Sequence, residues 1–247
     1  MNFTKRRFLS FHEKQRHKKC AELLREIYEG LLSKQDISHL WQHYNEIQAW
    51  RNEIPLDLCT AKTVCDRYHE HLRDAGVSLK EHNLLPVMTQ GDRQESAMPW
   101  PIAIYLDHIR SAHNVGSILR TVEALALGSV YFSEGTPKVS HKQVQDASMG
   151  SYQWVECHQG KTLHALPKPI IVMETSPSAI SLCDFLFPET FTLVMGNEEY
   201  GCSDYALGLA DYIVEIPLRG RKNSLNVANA FAIVAAEIAR QRRLSVF

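Results

Sequence analysis

Several absences narrow what this chain can be. No apolar run approaches the roughly 20 residues that span a bilayer, because even the stretch 225–239 is broken by Asn226, Asn229 and Glu237. A membrane partner is therefore not expected. Charge of one sign is also missing: 27 Lys and Arg stand against 28 Asp and Glu. Contact with nucleic acid must then come from a local patch, not from a generally basic surface. The cysteines at 20, 59, 65, 157, 183 and 202 form no C-x-x-C pair and follow no secretory leader, which points to a reducing, cytoplasmic setting. Cys59, Cys65, His69 and His71 match no standard zinc spacing, and His39 and His43 lack the intervening Glu of H-E-x-x-H, so no metal is expected. Internal repeats and low-complexity tracts are absent as well.

What remains is an ordinary globular composition, 45% hydrophobic and 22% charged over 247 residues, enough for one large domain or a moderate one with an appendage. Two periodicities divide the chain. Leu23, Leu24, Ile27, Tyr28 and Leu31 follow helical spacing, as do Ile37, Leu40, Trp41 and Tyr44, and then Ala61, Val64, Cys65, Tyr68, Leu72 and Ala75. The first third, residues 1–96, reads as a helical N-terminal domain. Residues 89–99, "TQGDRQESAMP", have the composition of a linker. Over 97–247, the short apolar runs "IAIYLDH", "SVYFS", "PIIVMET", "FTLVMG" and "YIVEIPL" alternate with helix-like stretches, the pattern of an α/β domain with a parallel sheet.

Three polar clusters follow strands of that domain, where open α/β sheets bind ligands. In "LDHIRSAHNVGSILRT", Asn114 and Arg120 read either as a helix cap and a surface ion pair or as site residues facing the strand ends. In "LVMGNEEYGCSD", Gly196 and Gly201 flank Glu198 and Glu199; the spacing is not that of G-x-G-x-x-G, and an ordinary turn explains it equally well. In "IPLRGRKNSLNVANA", Ser224 is placed to cap the following helix. That helix carries two apolar stripes, Val227, Phe231, Val234 and Ile238 beside Leu225, Ala228, Ala232, Ala235 and Ala239. They predict burial on two sides, against the sheet and against a further surface such as a second subunit.

Taken in order, "NVGSILRT", "MGNEEYG" and "IPLRGRKNSLNVANA" resemble the three signature motifs of the SpoU (TrmH-type) RNA ribose methyltransferases of the SPOUT superfamily, over roughly residues 100–243. The resemblance implies a parallel-sheet domain with a C-terminal trefoil knot, homodimerisation through it, and transfer of a methyl group from S-adenosylmethionine to a ribose 2'-hydroxyl in tRNA or rRNA. It implies catalytic roles for Asn114, Arg120, Glu198, Ser224 and Asn226. Cofactor contacts would come from Thr175, Met195, Gly196, Asn197, Gly201, Ile216, Leu218 and Leu225. In one departure from the family pattern, Ala126 stands where a glycine commonly ends the first motif's helix and Gly128 follows two residues later, so the helix end is open to a shift.

RNA contact is expected from Arg6 and Arg7 in the basic segment 5–19, with Phe3, Phe8 and Phe11 available for base stacking, although a solvated helix face would look the same. Arg110, His113, Arg219, Arg221 and Lys222 near the motifs would guide the RNA backbone. Two alternatives stand beside this reading. One is a non-catalytic RNA-binding protein that keeps the fold, and the other is a nucleotide-using α/β enzyme of another class.

Overall fold

The computed structural model describes residues 4–57, 59–77 and 97–244. They form two compact units, one ending at Val77 and one beginning at Ala97. Residues 89–96 of the expected linker, and Phe3 of the basic segment, lie outside the described residues.

The N-terminal unit is helical: α1 (Lys5–Leu9), α2 (Glu13–Leu32), α3 (Ser38–Trp50) and α4 (Ala61–Asp74). The apolar residues spaced for helices meet in its core, where Leu23, Leu24, Ile27, Tyr44, Ile47 and Val64 are fully buried. Phe8 belongs to the same core, packed near Trp50, and so is not available to stack on a base. Arg16 donates to the carbonyls of Leu9 and Phe11, which satisfies the end of α1 and removes this cation from the free basic face. Arg6 and Arg7 are exposed.

The C-terminal unit is built on seven parallel strands: β1 (Ile102–Leu106), β2 (Ser129–Phe132), β3 (Cys157–Gln159), β4 (Ile170–Met173), β5 (Ile180–Ser181), β6 (Phe191–Met195) and β7 (Tyr212–Glu215). Their order is β3-β2-β1-β6-β4-β7-β5. Helices α5 (Ala112–Leu125), α6 (Lys142–Ser148), α7 (Asp204–Leu209) and α8 (Val227–Leu244) flank them. Because strand side chains alternate between faces, Ile102, Ile104 and Leu106 enter the core shared with α5 and α8, whereas Ala103 and Tyr105 enter a second core with Cys202 and Ala206. The short edge strands β3 and β5 escape the sequence pattern because neither carries an apolar run.

Register sets the site. Leu106 and Met173 both pair with Met195, and Met173 pairs with Val214, so β1, β6, β4 and β7 end level. The residues that follow or close them, Asp107, Gly196, Glu174 and Glu215, line up along one edge of the sheet. β1 continues into β2 on one side while β6, β4 and β7 lie on the other, and such a change of direction opens a crevice at the carboxyl ends of the strands.

Helix α8 buries one broad face. Val227, Ala228, Phe231, Val234, Ala235, Ile238 and Ala239 are all buried within the unit, whereas Asn229, Ile233 and Ala236 point outward. The two predicted stripes thus merge into one contact face, except for Leu225, which precedes the helix and is exposed, and Ala232, which is half-buried.

Candidate active site

Two caps differ from expectation. The α5 cap is Ser111, whose hydroxyl accepts from the Asn114 N–H, so Asn114 sits inside the first turn with its amide free for other partners. At α8 the cap is made by Asn226, not Ser224: Asn226 Oδ1 accepts from the N–H groups of Ala228 at 3.0 Å and Asn229 at 3.3 Å. Two orphan donors of the helix are satisfied this way, which leaves the exposed Ser224 outside the helix.

These caps are ends of one relay. Glu198 accepts from the N–H groups of Arg110 at 2.9 Å and Ser111 at 3.0 Å and from Asn114 Nδ2 at 2.8 Å. Asn114 Oδ1 accepts from Asn226 Nδ2 at 3.1 Å. Chemistry fixes each amide's orientation: an ionised carboxylate only accepts, so Asn114 must turn its NH2 to Glu198 and its oxygen to Asn226. Asn226 must then present its own oxygen to α8. Partial burial would raise the Glu198 carboxyl, but the hydrogen bonds from Arg110, Asn114 and Ser111 outweigh it and hold the group below its usual range. A carboxylate at the N-terminus of α5 also meets the favourable end of the helix dipole. Residues up to 112 positions apart in the chain are joined in this way.

The loop that carries Glu198 is pinned on two further sides. Asn197 Nδ2 donates to the His108 carbonyl at 2.6 Å, and Asn197 and Gly201 exchange backbone hydrogen bonds. Glu174, immediately after β4, accepts from the Cys202 and Thr175 N–H groups, each at 2.9 Å. Gly201 has φ +77, and a Cβ there would run into Glu174 Oε2, so both backbone conformation and space require glycine.

Between this loop, the ends of β4 and β7 and the approach to α8 lies a cavity of about 460 Å³. All eight residues expected to contact a cofactor line it: Thr175, Met195, Gly196, Asn197, Gly201, Ile216, Leu218 and Leu225. Glu198 and Ser224 line it too, and the relay brings Asn114 and Asn226 to its rim. Sequence reasoning missed Glu174, Tyr200, Glu215 and Asn223, which also line the cavity. Position after a strand could have flagged Glu174, but nothing local distinguishes the others.

Arg120 does not join this group. Six residues along a helix turn the chain by about 600°, so Arg120 points well away from Asn114. It is exposed and makes no hydrogen bond or ion pair among the described residues. Arg110 is exposed and paired with Glu199, and His113 is exposed in the first turn of α5. Arg219, Arg221 and Lys222 are exposed on the loop between β7 and α8. The feared shift of the α5 end does not occur: Ala126 itself takes the left-handed conformation, φ +49 and ψ 47, and ends the helix.

The C-terminal unit is similar to known proteins. The model of the SpoU rRNA Methylase family matches residues 101–236. A tRNA (guanosine(18)-2'-O)-methyltransferase of Escherichia coli is 28% identical over 149 residues, which cover 58% of this chain and 64% of that protein. A 23S rRNA (uridine(2479)-2'-O)-methyltransferase of Streptomyces viridochromogenes is 29% identical over 157 residues, covering 57% of this chain and 53% of that protein. The chain thus spans less than two thirds of these curated relatives. Among solved structures, the SpoU methyltransferase AviRb from Streptomyces viridochromogenes, in complex with the cofactor AdoMet, matches with a TM-score of 0.54 and 25% identity, over 60% of this chain and 63% of that one.

Proposed function

The chain belongs to the SpoU rRNA methylase family, and from that membership we propose that it is an S-adenosylmethionine-dependent methyltransferase acting on a ribose 2'-hydroxyl in tRNA or rRNA. One observation carries the reading: every position assigned to the cofactor lines one cavity, with three distant motifs tied together at its rim.

The cavity suits that cofactor. Met195, Ile216, Leu218, Leu225 and Val227 offer apolar wall for a nucleoside base, and carboxylates face a ligand bearing positive charge. Bound there, S-adenosylmethionine supplies a sulfonium-activated methyl group. The chain's own contribution is to hold reactants in line, an effect worth on the order of 7 to 11 kcal/mol of a bimolecular barrier. Glu198, Asn114 and Asn226 act by fixing the loop and the mouth of α8. Ser224, exposed and uncommitted to capping, is free to bond the ribose. Arg120 cannot serve as a base, since a guanidinium stays protonated with a pKa above about 12. Its exposure suits a grip on the adjacent phosphate that polarises the hydroxyl.

RNA is held by Arg6, Arg7, Arg110, His113, Arg219, Arg221 and Lys222. Residues 1–96 form an accessory helical domain and 97–247 the methyltransferase domain with its trefoil knot, which family membership supports. A homodimer is favoured by the outward face of α8, where Ile233 is 42% exposed beside exposed Asn229 and Ala236. A cytoplasmic setting fits the six free cysteines.

The test is transfer of labelled methyl from S-adenosylmethionine to fractionated tRNA and rRNA, with the product mapped as a 2'-O-methyl nucleoside. Arg120→Ala should lower turnover by about 100-fold or more, the scale seen when one positioned charge donor is lost, with cofactor affinity within about twofold. Normal turnover in that variant would overturn the role of Arg120. Absence of label in every RNA fraction with the native protein would favour a non-catalytic RNA binder.

A further inference from the structure

The cavity wall contains four carboxylates, Glu174, Glu198, Glu199 and Glu215, and no Lys, Arg or His. Three have partners that absorb their charge. Glu198 is held by the donors of α5, Glu199 pairs with Arg110, and both oxygens of Glu174 accept backbone N–H groups. Glu215 differs. It closes β7 opposite Ser181, half-buried, and its side chain makes no hydrogen bond or ion pair among the described residues. No donor among the described residues offsets this carboxylate, so its oxygens stay available to a ligand in the cavity.

Resting on the function proposed above, we infer that Glu215 is a specificity-determining residue that makes the cavity prefer a sulfonium ligand over the corresponding neutral thioether. The two ligands share adenosine, α-amino and carboxylate groups and differ by one methyl and one positive charge. Apolar contacts and backbone hydrogen bonds serve both nearly alike, so discrimination must come from the cavity's field. A carboxylate on the cavity wall with no protein donor, in a site of intermediate dielectric, shifts the affinity ratio by about five- to tenfold. Product left in the cavity loses that attraction, which favours its exchange for fresh donor. Glu174 does not share the role, because removing its charge would also release the 196–202 loop.

Calorimetric titration of the full-length protein with S-adenosylmethionine and S-adenosylhomocysteine tests this directly. Glu215→Gln, which keeps the shape and breaks no hydrogen bond among the described residues, should weaken S-adenosylmethionine about five- to tenfold and leave S-adenosylhomocysteine within about twofold. Equal weakening of both ligands, or no change in either, overturns the inference. Should the variant fail to fold, the native protein still decides. It should bind S-adenosylmethionine about five- to tenfold more tightly than S-adenosylhomocysteine, and equal affinity, or tighter binding of S-adenosylhomocysteine, overturns the inference. Failure of the native protein to bind either ligand would instead count against the function on which the inference rests.

Discussion

Ala126 occupies the conformation that helices commonly reserve for glycine at their C-terminal end. An L-residue there costs about 1–2 kcal/mol relative to a right-handed one, and the compensation is that α5 stops where β2 must begin. Ala126→Gly should relieve that cost, partly offset by the greater freedom of glycine in the unfolded chain. A net gain of about 0.5 kcal/mol, or a Tm higher by about 1–2 °C, is expected from thermal unfolding; a lower Tm would show the left-handed residue is not strained. The same scale explains why Ser224 misled. Ser, Asn and Asp are nearly equivalent caps, so residue type alone does not separate Ser224 from Asn226, and the choice of Asn226 follows from Asn114, which claims its NH2.

At the scale of elements, helices α2 and α4 are joined by a buried polar chain. Arg51 donates to His17 Nε2 at 2.8 Å, which forces the proton of neutral His17 onto Nδ1. That proton goes to His71 Nδ1 at 2.9 Å, and His71 Nε2 donates to Tyr44 at 2.9 Å. Burial, then Arg51, His17 and Arg67, lower the His71 pKa to about 3. Burial and Arg51 also lower that of His17, against the opposing carboxylates of Asp74, Glu53 and Glu13. Both rings are neutral in the folded unit and bind protons more readily once unfolded. The His71 contribution is therefore fully present above an unfolded pKa of about 6.5 and is lost as pH falls toward about 3, by up to about 1.4 kcal/mol per pH unit, and His17 acts in the same direction. Hydrogen exchange of α2 and α4 should accelerate as pH falls through 6 to 4 after correction for intrinsic rates. His71→Gln should flatten that dependence, and an unchanged slope would remove the chain from the account. These helices were legible from apolar spacing. The histidine chain was not, because residues 17, 44, 51 and 71 share no sequence pattern.

For the whole molecule, near-zero net charge makes the proposed RNA binding a matter of where cations remain exposed. Arg16 is engaged within the protein, whereas Arg110, though paired with Glu199, is exposed, as are Arg219, Arg221 and Lys222 on one loop beside the cavity. RNA affinity should fall steeply with salt, with a slope of about 0.7 to 0.9 per phosphate neutralised. Replacing Arg219, Arg221 and Lys222 together by alanine should reduce the slope by about two to three units. Filter binding across a salt series measures both, and a flat response in the native protein would contradict the proposed RNA contacts.

The sequence by itself determined the helical first third, the five main strands and the motifs, and the family resemblance of those motifs picked out eight of the residues that line the cavity. Each depends on local spacing or on short polar patterns set against apolar runs, and both are printed in the order of residues. The tertiary structure alone decided which of those polar residues act together. Level strand ends bring Glu174 and Glu215 beside the motif loops, donors and acceptors set the direction of the relay, and helical rotation turns Arg120 away from it. Partnership between polar groups is a property of distance and orientation in space, and no spacing along one chain encodes it.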